Sequence, residues 1–174
     1  MKLADFQKVE GEIIGLQSED GGKTYTEFMR KKNLITSVGD QNLAQLLAGD
    51  SAAYTMGHWA VGDGSSTASR SDTIIDGEYE RFAIDTQVVE AITGGYQVEN
   101  TLDLGPTEGN GTIRKIGLIA HGPTTTLANY NPLDPNEATH EWKLLHYSDV
   151  LMPNGKVKDA SLTLKFIWRV KFTN

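Results

Sequence analysis

The chain has 174 residues, with 16 basic against 23 acidic side chains, a net charge of -7 and no cysteine. No disulfide, cysteine-bound zinc or thiol nucleophile is possible, and the acidic balance denies the chain the basic face that duplex binding requires. No run approaches the ~20 apolar residues of a membrane helix, so neither nucleic acid nor membrane is expected as a direct partner.

Residues 1–12 carry Asp5, Glu10 and Glu12 and lack the apolar centre of a secretory leader. Residues 9–16 read as a strand interrupted by glycines, Asp20-Gly21-Gly22 as a turn, and residues 23–29 as a strand pairing back. Arg30, Lys31 and Lys32 read as a solvated strand end. The one good helix follows. Thr36 caps it, Asp40 suits its positive end, and Gly49 sits where a left-handed C-terminal cap belongs. Val38, Leu43, Leu46 and Leu47 form an apolar stripe on roughly helical spacing. Gly39 costs helix stability and points to close contact with a neighbouring backbone.

Residues 56–61 read as a short buried strand, Gly62-Asp63-Gly64 as a tight loop, and residues 65–76 as a polar surface loop. Residues 78–92 read as one long strand with Phe82, Ile84, Val88 and Ile92 on one face. Thr93-Gly94-Gly95 turns the chain, and Tyr96 to Leu104 returns as the hairpin partner. Residues 113–120 read as a strand, and 123–139 as a loop broken by proline steps. Residues 143–147 form a short strand and Pro153-Asn154-Gly155 a turn. The strongest signal is the last strand. Leu162, Leu164, Phe166, Trp168, Val170 and Phe172 alternate with Thr163, Lys165, Ile167, Arg169 and Lys171. Alternation of this kind buries one face of an antiparallel sheet and leaves the other wet. The sum is a mostly β chain: a single antiparallel β-sandwich domain over 1–174 with one short α-helix.

The residues assemble no catalytic set. His58, His121, His140 and His146 show no metalloprotease spacing, and His58 reads as structural. Gly62-Asp63-Gly64 lacks the Lys-Ser/Thr of a phosphate loop, and Asp63, Asp72 and Asp76 are too scattered for a calcium loop. Glu78 and Glu80 share a strand face, as the carboxylates of a glycan hydrolase would. With Arg81 adjacent, a solvated or inter-subunit ion pair is the expectation. No Gly-x-Ser-x-Gly elbow occurs. No catalytic, cofactor-binding or metal-binding residue is assigned, and no enzyme activity is expected.

An ordered series of segments carries a family resemblance. It runs through Asn33-Leu34-Ile35-Thr36, Gly39, Leu43-Ala44-Gln45-Leu46-Leu47-Ala48-Gly49, Trp59-Ala60-Val61-Gly62-Asp63-Gly64, and Asp72-Thr73 leading to Glu78 and Arg81. It ends with Ile113-Arg114-Lys115-Ile116-Gly117-Leu118-Ile119 and the alternating C-terminal strand. This series resembles small virion structural proteins of tailed bacteriophages, and is similar to the N-terminal attachment modules of phage tail-collar fibre proteins. The chain departs from the family at Lys115, where an acidic residue often precedes Ile-Gly-Leu. It stops at Asn174 where a fibre would continue into a shaft, so the resemblance implies a stand-alone version of the module. It implies a homo-oligomeric collar, neck or fibre-attachment protein of the virion, bound to other virion structural proteins. Residues 65–76 and 122–139 would then meet neighbouring subunits. Alternatives are a capsid decoration protein, and a carbohydrate-binding β-sandwich stacking sugars on exposed Trp142 and Tyr147.

Overall fold

The computed structural model describes residues 8–50, 54–121, 142–149 and 155–173. Two five-stranded antiparallel sheets form a sandwich. The first runs β2 (Thr26–Lys32), β1 (Lys8–Ser18), β12 (Thr163–Thr173), β7 (Gly95–Leu104), β6 (Thr86–Ile92). The second runs β3 (Leu34–Ile35), β10 (Trp142–Asp149), β9 (Lys115–His121), β4 (Thr55–Gly62), β5 (Glu78–Ala83). A small pair, β8 (Gly111–Ile113) with β11 (Lys156–Lys158), and one helix, α1 (Ser37–Leu47), complete the described elements.

The C-terminal strand behaves as its alternation requires. Along β12, Leu164, Phe166, Trp168 and Val170 are buried, while the residues between them are partly exposed. It is the central strand of the first sheet, paired with β1 on one side and β7 on the other. Facing it, β4 and β9 supply Trp59, Val61, Ile116 and Leu118 to the same core. Trp59 and Trp168 meet edge-on across the sheets with ring centroids 5.5 Å apart, and Phe28 meets Phe166 edge-on at 6.1 Å. Edge-to-face packing of this kind aligns ring quadrupoles favourably.

The second sheet is covered on its other face as well. Ala60, Ile75, Ile119, Leu144 and Tyr147 form a second apolar cluster there. Ile75 comes from residues 65–76, which the sequence reads as a polar surface loop. The loop is largely exposed, as that reading expects, with Ile75 buried on the sheet beneath it. This double burial explains why β9 has apolar residues of both parities: it is buried at every position from Lys115 to Ala120.

Residues 78–92 are two strands, not one. The N–H of Ile84 donates to the Gly57 carbonyl in the second sheet at 2.9 Å. The next N–H, of Asp85, donates to the Thr101 carbonyl in the first sheet, also at 2.9 Å. The chain therefore crosses between sheets at this step. β5 remains in the core through Phe82, while β6 lies at the edge of the first sheet with Val88 exposed.

Candidate interaction surface

Helix α1 is held at one end of the sandwich by a backbone clamp. The Thr36 hydroxyl accepts the Gly39 N–H at 2.9 Å, which caps the helix. The same hydroxyl lies 2.5 Å from the Leu144 carbonyl, and the Thr36 N–H donates to the Leu145 carbonyl at 3.1 Å. Gly39 lies directly against Leu145. A Cβ there would fall well inside 3.0 Å of the Leu145 carbonyl oxygen, closer than real Cβ atoms approach. Only glycine lets the helix backbone touch β10. Asn42 completes the attachment, exchanging hydrogen bonds with the Tyr54 backbone at 3.0 and 2.8 Å.

This clamp lies on the helix face that also carries Leu43 and Leu46 of the apolar stripe. Gly39 and Asn42 are the helix residues that are buried. Leu46 is exposed and Leu47 is 82% exposed, so the stripe Val38, Leu43, Leu46, Leu47 does not seal against the sheet. Backbone contact at Gly39 outweighs leucine burial in fixing the helix. A groove of about 380 Å³, open to solvent, runs beneath it; Ile35, Leu43, Leu46, Met56 and Phe172 are among its lining residues.

The groove continues onto the first sheet. Strand pairing puts Val9, Phe172, Tyr96 and Ala91 in one cross-strand row, and Gly11, Val170, Val98 and Val89 in the next. These rows lie on the face that packs the core further along the same strands, since side chains two apart share a face. Here the second sheet no longer covers them fully. Tyr96 is 60% exposed and Val89 69% exposed. Together with Leu46 and Leu47 they leave an apolar surface at this end of the molecule.

Asn33 links the two sheets beside the groove. Its N–H donates to the Gly11 carbonyl of β1 at 3.1 Å, and its side-chain amide lies 2.6 Å from His146 Nδ1 on β10. An amide N–H donated there makes Nδ1 an acceptor, so the imidazole is neutral. Burial agrees, holding the His146 pKa down to about 4. His146 is the histidine whose role the sequence does not disclose, although Asn33 opens the first segment of the family resemblance.

The segment Trp59 to Gly64 is built into the architecture as well. The Asp63 N–H donates to the Gly77 carbonyl at 3.0 Å and the Gly64 N–H to the Asp76 carbonyl at 3.1 Å, closing the base of the loop. Gly77 has φ 63°, and a Cβ there would strike the Gly64 backbone. The Asp76 carboxylate accepts the Ser66 N–H at 2.9 Å, a bond that lowers its pKa. Lys115, 3% exposed, donates its ammonium to the Ser66 carbonyl. Lys115 thus pins this loop from below. Arg70 of the loop pairs with Asp40 of the helix, and the Ser37 N–H donates to the Arg70 carbonyl at 2.8 Å. Residues 65–76 therefore brace the helix of their own chain.

Glu78 and Glu80 diverge. A register shift between Val61 and Gly62 separates their positions on β5. Glu78 binds Arg81 through two hydrogen bonds, the second at 3.1 Å, with side chains only 10% and 4% exposed. This corrects the expectation of a solvated or inter-subunit pair. Glu80 instead accepts the Gly109 N–H at 3.0 Å, and burial raises its pKa. The two carboxylates hold different partners and do not face a common cleft. Nearby, the buried Lys158 donates to the Gly105 carbonyl at 2.7 Å and to Asn110 Oδ1 at 3.1 Å, fastening β11 to the turn before β8.

Among the described residues, His58, His121 and Trp142 pack together. His58 lies edge-on to His121 and Trp142, at 5.1 and 5.0 Å between centroids. Burial, His121 and Arg81 lower its pKa to about 4, in that order of effect. The Arg81 guanidinium stacks 4.6 Å over Trp142, and a resident cation beside two imidazoles works against a metal. Among the described residues no group of three metal-ligating side chains occurs. Tyr147 is fully buried, so its ring is not the exposed one that sugar stacking needs, while Trp142 is partly buried with His58 edge-on and Arg81 over its ring. His140 and residues 122–139 lie outside the described residues. No family model, curated protein or solved structure matches this chain.

Proposed function

We propose that this chain is a structural component of a tailed-phage virion, an oligomeric collar, neck or fibre-attachment protein that works by binding other virion proteins. The observation that carries this reading is the open apolar end of the sandwich. The segments of the family resemblance build it: Ile35 follows Asn33-Leu34, Leu43 and Leu46 come from the helix, and Val170 and Phe172 end the alternating strand. An apolar surface of this kind marks a protein contact on a stable soluble fold. The rest of the resemblance falls on residues that shape this end: Thr36 and Gly39 clamp the helix, and the Trp59–Gly64 segment with Lys115 braces it through residues 65–76. Each is spent on architecture and none on a reactive centre.

Mass spectrometry of purified particles, made by the genome that encodes the chain, tests the reading. It predicts the chain at a stoichiometry typical of a ring or trimer. Particles that assemble normally without it would overturn the proposal. A capsid decoration role would show instead as copy numbers matching the capsid lattice.

A further inference from the structure

The first sheet has two free edges among the described residues, and they differ in kind. The β2 edge carries Glu27, Arg30, Lys31 and Lys32, with Arg30 paired to Glu27 at 2.7 Å and to Glu12 at 3.4 Å. Charged edge strands of this sort resist further pairing. The β6 edge reads Thr86-Gln87-Val88-Val89-Glu90-Ala91-Ile92, with no proline and a single charge. Val88 and Val89 point to opposite faces and both are exposed.

The polar side chains of β6 are turned back toward β7. Gln87 Nε2 donates to Asn100 Oδ1 at 2.7 Å, and Gln97 Nε2 donates to Glu90 Oε2 at 2.9 Å. What β6 offers a partner is therefore backbone and valine. An edge strand left in this state is a template for pairing.

We propose that β6 pairs with β6 of a second copy of this chain, antiparallel, about a two-fold axis at Val89. The inference deepens the assembly role proposed above and rests on it for the purpose of the contact, not for its geometry. An isologous contact needs a surface that complements itself. Centred on Val89, the pairing sets Val89 against Val89, Val88 against Glu90, Gln87 against Ala91 and Thr86 against Ile92. Glu90 never opposes its own copy, and its charge is already held by Gln97. A strand whose single charge sits off the axis and accepts a hydrogen bond from Gln97 can meet its own copy without setting that charge directly against itself. Val89, Ala91 and Tyr96 share one face, so the axis joins two such patches. The two five-stranded sheets become one of ten, ending on the charged β2 strands at both sides.

The chain has no cysteine, which makes Val89→Cys a clean probe. Facing residues of an antiparallel pair have Cβ atoms about 4.5–5.5 Å apart, near disulfide range. Mild oxidation should convert Val89→Cys, but not Thr26→Cys on the charged edge, into a covalent dimer. Light scattering of the full chain should give twice the 19.0 kDa chain mass. Val89→Lys should give the single-chain mass with an unchanged circular dichroism spectrum. A monomeric wild type, a dimer that Val89→Lys leaves intact, or equal crosslinking at positions 89 and 26 would each overturn the inference. A chain found in particles yet monomeric in isolation would sink this contact and spare the virion reading. A β6 dimer absent from particles would do the reverse.

Discussion

Substituting Gly39 by alanine sets two effects of opposite sign against each other. In an exposed helix interior, alanine is favoured over glycine by about 1 kcal/mol. At position 39 the added Cβ would press on the Leu145 carbonyl oxygen and lie 3.0 Å from its carbonyl carbon, so the helix must lift or β10 must move. Overpacking against atoms that cannot rotate away costs roughly 1–3 kcal/mol. Lifting the helix also strains the Thr36 hydroxyl bonds, and losing such a cap costs about 1 kcal/mol. The clash and the cap together exceed the propensity gain, so Gly39→Ala should lose about 1–3 kcal/mol net. Urea unfolding followed by circular dichroism measures it. Ala44→Gly, on the exposed side of the same helix, calibrates propensity alone and should cost about 1 kcal/mol. A Gly39→Ala protein as stable as wild type, or more so, would refute the claim that backbone contact seats the helix.

Arg81→Ala removes two hydrogen bonds from Glu78 in a site where that side chain is 10% exposed, and breaking a buried pair costs about 3–5 kcal/mol. Arg30→Ala breaks exposed pairs to Glu27 and Glu12, which solvent screens, and should cost far less; equal losses in urea melts would contradict the burial of the first. Stability should also depend on pH through His58 and His146, whose folded pKa values fall from 6.5 to about 4. Between those values the unfolded chain binds protons that the folded chain refuses. Their contribution is complete above 6.5, declines as pH falls toward 4, and levels off below. One such shift is worth about 3 kcal/mol at most. Unfolding midpoints across this range should be steeper for wild type than for His146→Gln; parallel curves would contradict the neutral, buried His146.

Much of this architecture is written in side-chain period and cap chemistry. The alternation from Leu162 to Phe172 gives a strand with one buried face, and Thr36 and Gly49 bound the helix because caps are local. The break at Ile84–Asp85 leaves no such trace. A strand that crosses between sheets without a turn residue keeps an extended pattern, so residues 78–92 read as continuous. The apolar anchor of the exposed 65–76 loop, Ile75 with Ala68 packed against the same cluster, is averaged away by composition. The helix misleads for a different reason. Gly39, Asn42, Leu43 and Leu46 share one face, yet only Gly39 and Asn42 are buried there, held by contacts that hydropathy does not register. Leu43 and Leu46 line the open groove on that face, and Leu47 stays exposed.

An electron cryomicroscopy map of the intact particle is the most direct measurement. It should place this sandwich in a symmetric layer, with other chains seated over Leu46, Leu47, Tyr96 and Phe172. A map in which that end faces bulk solvent in every copy, or in which the sandwich has no density at all, would contradict the account.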